Sequence, residues 1–226
     1  SFCLEGEVKS VTAGDGQTYT AGAVILATGG RSRTLGVPGE DSFKGRGISY
    51  CATCDGDFFT GKEIVVVGGG NSALEEAVSL TKYATKVTVV HQFDHFQAFQ
   101  YAVDEAKANP KLSFVMSSTI ASFYGEEKLE GVKIRNLVTG EDRDFKTAGV
   151  FIFIGYVPNT EWLRGYVNMN DRGEIITGAD MSTNVEGVFS AGDANAKRYR
   201  QVTTAVADGT VAALAAADYQ HSQKRK

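Results

Sequence analysis

Glu63-Ile64-Val65-Val66-Val67-Gly68-Gly69-Gly70-Asn71-Ser72-Ala73 is the stretch whose reading decides the fold. Ile64 to Val67 is an unbroken aliphatic run of strand length, the pattern of a parallel strand buried on both faces. The glycines that follow match G-x-G-x-x-G/A. Gly68 makes the turn, Gly70 clears room for a pyrophosphate, and Ala73 lets helix and strand pack closely. Ala73, Leu74, Ala77, Val78 and Leu80 then recur at helical spacing between Ser72 and Thr81, and Lys86 to Val90 is a second buried-type strand. Together they predict a βαβ unit whose helix, with Asn71 and Ser72 at its start, points its N-terminus at phosphate charge. A purely structural glycine turn is the alternative; the strand before it and the amphipathic helix after it favour nucleotide binding.

The end of the next strand selects the nucleotide. An acid there would hold a ribose 2′-hydroxyl, and arginines would hold a 2′-phosphate. The chain has His91-Gln92-Phe93-Asp94-His95-Phe96-Gln97, with no arginine between Arg46 and Arg135. That argues against NADPH; the acid usual for an NADH ribose is missing too, and only Gln92 or Asp94 is near, with His91 and Gln92 taken as the cofactor-binding residues of this strand end.

Upstream lies Ser49-Tyr50-Cys51-Ala52-Thr53-Cys54-Asp55-Gly56-Asp57-Phe58-Phe59. Two cysteines at this spacing can close a small disulfide ring, and Asp55 can carry protons for it. Zinc would need two further ligands at comparable spacing. Only His91, His95 and His221 remain, so no metal is expected. A structural CxxC and a plain turn acid at Asp55 are the bland alternatives to a redox pair.

The rest of the chain supplies strands and one long helix. Cys3 to Val11, Gln17 to Thr20 and a buried Ala23 to Ala27 read as strands, the last ending in Thr28-Gly29-Gly30. Cys3 reads as a small buried hydrophobe. Leu35 to Gly47, with Pro38, reads as a loop crossing between domains. A helix is predicted over 94–109, a strand over 112–116, a small antiparallel meander over 119–146 and a return to the sheet over 150–154. Gly187 to Ser190 predicts a strand leading to Ala191-Gly192-Asp193, whose carboxylate could meet a ribityl hydroxyl or cap a turn. Gln201 to Tyr219 predicts a helix with Ala205, Gly209, Ala212, Ala213 and Ala216 on a small-residue face, before a polar, frayed tail from His221 to Lys226.

Composition sets the limits. Hydrophobic residues are 42% and charged residues 22%, as in an ordinary globular protein. A net charge of −4 gives no reason to expect nucleic acid. The apolar runs are strand-sized, short of the roughly 20 residues a membrane helix needs, and no signal peptide is read. Three cysteines, two in one CxxC, suit a reducing compartment such as the cytoplasm.

Ala27-Thr28-Gly29, Cys51 to Gly56, Gly68 to Ala73, Gly155 with Pro158-Asn159-Thr160, Val188 to Asp193, and Arg200-Gln201-Val202, in that order, resemble the low-molecular-weight bacterial thioredoxin reductases. The flavoprotein subunit of alkyl hydroperoxide reductase shares the pattern. The resemblance implies an α/β protein of two Rossmann-like dinucleotide-binding domains. FAD would occupy a domain split between 1–38 and 160–226, and NAD(P)H a domain over 39–159 that carries the CxxC. The second would rotate against the first about hinges near Gly39 and Asn159. By residue, Cys54 would face the flavin, Cys51 would exchange with a thioredoxin-like protein, and Asp55 would be the acid. Thr28 and Gly29 would lie by the flavin, Gly192 and Asp193 at its ribityl-phosphate region, and Arg200, Gln201 and Val202 near the isoalloxazine, with Gly155 also at the cofactors. A homodimer is implied. The family's NADPH pattern, His-Arg-Arg with a later Arg, is here His91-Gln92-Phe93 and Gln97, so NADH is expected. The family's N-terminal FAD glycine motif would precede Ser1, leaving the FAD domain incomplete over 1–226. Two other readings stand beside this one: a same-fold enzyme reduced by another donor such as ferredoxin, and a nucleotide-binding piece without chemistry.

Overall fold

The computed structural model describes residues 1–225. Contacts divide them into two α/β units, one built from Ser1–Arg31 and the chain from Tyr156 onward, the other from Ser32–Gly155.

The Ser32–Gly155 unit is a five-stranded parallel sheet ordered Ile48–Ser49, Gly149–Ile152, Glu63–Val67, Lys86–Val90, Leu112–Val115. Parallel neighbours need crossovers, and the helices Asn71–Leu80 and Gln100–Ala108 provide two of them. The glycine-run strand is central, and its alternation decides the layering. Ile64 and Val66 pack under the helices with Leu74, Ala77 and Val103, while Val65 and Val67 pack on the other face. There Ile120, Phe123, Val132 and Ile134 of an antiparallel meander (Ser118–Gly125, Leu129–Asn136, Asp142–Lys146) cover them. All four central aliphatics are at most 5% exposed, each worth about 2 kcal/mol of burial. The chain leaves the central strand toward Lys86–Val90 on one side, and Gly149–Ile152 returns on the other. This is the switch point at whose carboxyl edge open α/β sheets bind ligands.

The other unit pairs Val24–Leu26 parallel with Val188–Ser190 and sets an antiparallel sheet of Phe2–Cys3, Lys9–Thr12 and Thr18–Ala21 beside them in sequence. The helix Val202–Gln223 turns Ala212 and Ala216 onto Phe189 and Ala191.

Several expectations are corrected. Cys3 to Val11 is not one strand: Gly6, at φ 77°, turns the chain so that Phe2 pairs with Val11 and Cys3 with Ser10. Cys3 is exposed and unpaired rather than buried. The loop after Leu35 holds a short helix, Glu40–Phe43. The helix expected from Asp94 begins at Gln100, because residues before it are strapped to the glycine turn. Ala213 is exposed, since only positions in phase with Ala212 and Ala216 meet the sheet. The final helix continues through His221 to Gln223, and Lys226 of the expected tail lies outside the described residues.

The units divide at Arg31/Ser32 and Gly155/Tyr156, a few residues before the boundaries that the resemblance implies after Pro38 and Asn159. Residues 33–38 belong with the parallel sheet, since buried Glu40 accepts from Leu35 and Gly36 N–H and Leu35 and Val37 pack into its core. Tyr156–Pro158 pairs instead with Gly30–Ser32, and Asn159 N–H bonds to the Gly29 carbonyl. Among the described residues no helix is long and apolar enough to cross a membrane, and no three His, Cys, Asp or Glu side chains group as a metal site.

Candidate functional site

Parallel strands share one carboxyl edge, and two sequence motifs leave it together. Ile48–Ser49 leads through Tyr50 into Cys51, and Glu63–Val67 runs directly into Gly68, with one strand between them. Two strand spacings put these exits about 10 Å apart.

At the first exit, Cys51 and Cys54 are joined by a disulfide. A single turn, Ala52–Asp55, holds the ring, with Cys54 N–H directed at Cys51 Sγ at 3.1 Å. Cys51 is half-buried and Cys54 exposed. Asp55 is half-buried, and its Oδ2 receives the Ser49 hydroxyl at 2.6 Å. The Cys51 N–H bonds to the same Ser49 oxygen at 3.1 Å. Tyr50, between them, donates its hydroxyl to buried Glu40 at 2.8 Å. Burial, then the Glu40 bond, pushes that phenol above its ordinary range.

At the second exit, Gly68 sits at φ 138°, where a Cβ would collide with the Phe153 carbonyl and press on Ala73 at 2.9 Å. Gly69 lies against the His91 ring, with no room for a side chain. Gly70 differs: nothing lies within 4 Å of the place its Cβ would take, so the helix N-terminus opens onto free space. Gln97 N–H bonds to the Gly69 carbonyl at 2.8 Å, and Phe99 N–H to the Asn71 side chain at 2.7 Å. The 92–99 segment is thereby laid across the turn, and Asn71 is engaged in holding it. His91 is 4% exposed, its Nε2 lacks a hydrogen-bond partner among the described residues, and burial holds its pKa below the ordinary value. Ser72 and Gln92 are exposed, and Asp94 pairs with His95 at 2.7 Å. An open glycine, a free helix terminus and a buried imidazole with an unpartnered Nε2 fit a dinucleotide.

In the other unit, the Val24–Leu26 and Val188–Ser190 strands bring Thr28-Gly29 and Gly192-Asp193 to one sheet edge. Thr28 Oγ1 is buried without a hydrogen bond, Asp193 Oδ1 is buried with only the Lys197 ammonium, 3.6 Å away, to balance it, and no atom lies near a Cβ built on Gly29. Buried polar atoms are ordinarily paired, so the unpartnered Thr28 Oγ1 beside the open Gly29, with the Asp193 carboxylate at the same sheet edge, fits a polyol ligand. Arg200 does not reach out freely: it pairs with buried Glu174 and stacks on the Tyr156 ring at 4.6 Å. Burial, then the Asp193 charge, holds Tyr156 above the usual phenol range. Gln201 caps the long helix reciprocally with Thr204, and Val202, its first residue, is 81% exposed. Gly155 stands apart from these, ending the parallel-sheet unit at φ 118° with its carbonyl bonded to Arg33 N–H. Ser49, Tyr156 and Glu174 were not singled out from sequence. Ser49 could have been found by its place two residues before Cys51, whereas nothing local marks Glu174.

A family model described as Pyridine nucleotide-disulphide oxidoreductase matches residues 3–209. The thioredoxin reductase of Peptoclostridium acidaminophilum is 47% identical over 222 residues, covering 96% of this chain and 70% of that protein. That of Streptomyces clavuligerus is 45% identical over 220 residues, covering 97% and 68%. Among solved structures, the thioredoxin reductase of Streptococcus pyogenes MGAS5005 matches with a TM-score of 0.93 and 42% identity, over 98% of this chain and 72% of that one.

Proposed function

The chain belongs to the pyridine nucleotide-disulphide oxidoreductase family, among its thioredoxin reductases, and from that premise we propose that it passes electrons from NADH through FAD to Cys51–Cys54 and on to a thioredoxin-like protein. The observation that carries this is the Cys51–Cys54 disulfide at the same sheet edge as the open glycine turn. Bound FAD would supply a two-electron carrier between the nicotinamide and the disulfide. Thr28, Gly29, Gly192 and Asp193 would hold it, with Arg200, Gln201 and Val202 alongside. Gly68, Gly70, Ala73 and the start of the Asn71–Leu80 helix would seat the nucleotide pyrophosphate, with Asn71, Ser72, His91, Gln92 and Gly155 around it.

Two electrons and two protons open the Cys51–Cys54 bond to a dithiol. The Cys51 thiolate then attacks the partner's disulfide, and Asp55 gives a proton to the departing partner sulfur. Cys54 then attacks the Cys51 sulfur of the mixed disulfide and expels the partner's second sulfur, so the partner leaves as a dithiol and the Cys51–Cys54 bond reforms. Such an enzyme would act in the cytoplasm as a homodimer, with neither nucleic acid nor membrane as partner.

The 91–97 segment supports NADH over NADPH. Its exposed groups are Gln92, Phe93, an Asp94–His95 pair and Gln97, and none offers the fork of cationic donors that binds a 2′-phosphate. Steady-state turnover of the holoenzyme with each nucleotide tests this: kcat/KM should be higher for NADH, and an NADPH preference beyond about tenfold, or about 1.4 kcal/mol, contradicts it.

A further inference from the structure

Ser49 bonds to the Cys51 backbone and to the acid that follows the disulfide. The side chain is buried at the end of the edge strand, 4% exposed. Its Oγ lies 2.6 Å from Asp55 Oδ2 and 3.3 Å from the Cys51 carbonyl oxygen, and it receives the Cys51 N–H at 3.1 Å. A hydroxyl has one proton and two lone pairs. Opposite a carboxylate, the proton goes to Asp55, since that bond is shorter and charge-assisted. Opposite a protonated carboxyl, Asp55 becomes the donor, a lone pair receives it, and the hydroxyl proton turns to the Cys51 carbonyl. Both forms of Asp55 are satisfied at one place by rotation of a single O–H bond. No heavy atom has to move, and no buried group is left unpaired.

We propose that Ser49 is the positioning residue for Asp55, holding that carboxyl beside Cys51 and Cys54 in both protonation states through the exchange of thiol and disulfide. The proposal rests on the reading of Asp55 as the acid of the pair.

The test reads the dithiol directly, with neither flavin nor nicotinamide in the measurement. In a Cys3→Ser background, which removes the exposed third thiol, the pair is reduced, freed of reductant and mixed with 4,4′-dithiodipyridine. Cys51 attacks one probe sulfur, the probe S–S bond breaks, the thiol proton passes to Asp55, and the first thiopyridone leaves with a proton. Cys54 then attacks the Cys51 sulfur, releasing the second thiopyridone and restoring the Cys51–Cys54 bond. The pair has lost two electrons and two protons, and the probe has gained them. Stopped-flow absorbance follows the release.

Ser49→Ala should slow it about tenfold, the effect of one lost hydrogen bond to a charged group, and Ser49→Thr, which keeps the hydroxyl, should restore the parent rate. Asp55→Asn should slow the reaction as well, and Ser49→Ala added to Asp55→Asn should slow it no further, because Ser49 acts through Asp55. If Ser49→Ala does not fold, Ser49→Val against Ser49→Thr gives the same contrast at similar volume in a strand. A Ser49→Ala rate equal to the parent's overturns the proposal, and so does a slowing that persists in full in the Asp55→Asn background. An Asp55→Asn rate equal to the parent's removes the acid itself, which is a separate failure of the reading beneath.

Discussion

Gly68→Ala and Gly70→Ala separate the two duties of the glycine turn, holding the fold and leaving room for a nucleotide. At Gly68 an alanine would sit at φ 138°, with its Cβ driven into the Phe153 carbonyl and 2.9 Å from Ala73. Backbone strain of that kind costs about 1–3 kcal/mol, and overpacking costs about 1–3 kcal/mol more. A loss of about 4 kcal/mol is a large share of the roughly 5–15 kcal/mol that holds a typical domain together. Gly70 is already extended, at φ −90° and ψ 179°, with free space around its Cβ position. Alanine there should change stability by under about 1 kcal/mol. Its methyl would instead stand where the pyrophosphate approaches the helix N-terminus, weakening NADH binding about ten- to a hundredfold through lost charge-assisted hydrogen bonds. Urea unfolding by circular dichroism measures the first effect, and calorimetric titration with NADH measures the second. Gly70→Ala protein that binds NADH as tightly as the parent would refute the cradle, and Gly68→Ala protein of parental stability would refute the packing argument.

Two further substitutions test the buried polar groups. His91 has its pKa lowered by burial from 6.5, so the unfolded chain takes up that proton first. Its contribution to stability is therefore complete above the unfolded value and is lost as pH falls toward the folded one; His91→Phe should reduce the stability difference between about pH 7.5 and 5.5 in urea titrations. Glu174→Ala would strand the Arg200 guanidinium over Tyr156 without its carboxylate and free the Asn170 amide that Glu174 accepts at 2.6 Å. Thermal and urea unfolding should show a loss of about 3 kcal/mol, with Glu174→Gln falling between Ala and the parent.

Local sequence carried much of this architecture. Ile64 to Val67 could only be a two-sided parallel strand, and the glycines behind it fixed the turn and the helix. The meander was legible because its turns fell at glycines between alternating runs. Where sequence misled, tertiary bonds had replaced local pattern. The 94–99 segment has helical composition, yet Gly69 and Asn71 take its Gln97 and Phe99 N–H groups and postpone the helix to Gln100. Gly6 folded one expected strand into a hairpin, and with it Cys3 reached the surface. At the site, CxxC and Asp55 were visible as spacing. The pairing of Asp55 with Ser49, or of Arg200 with Glu174 from 26 residues away, belongs to the fold, and no spacing rule contains it.

The central claim is that Cys51–Cys54 stands between the flavin and the partner disulfide. Cys51→Ser holoenzyme, mixed with NADH and then with oxidised thioredoxin, tests it in one experiment. Flavin bleaching by NADH should proceed as in the parent while thioredoxin stays oxidised. Continued thioredoxin reduction, or loss of both steps, would contradict the assignment.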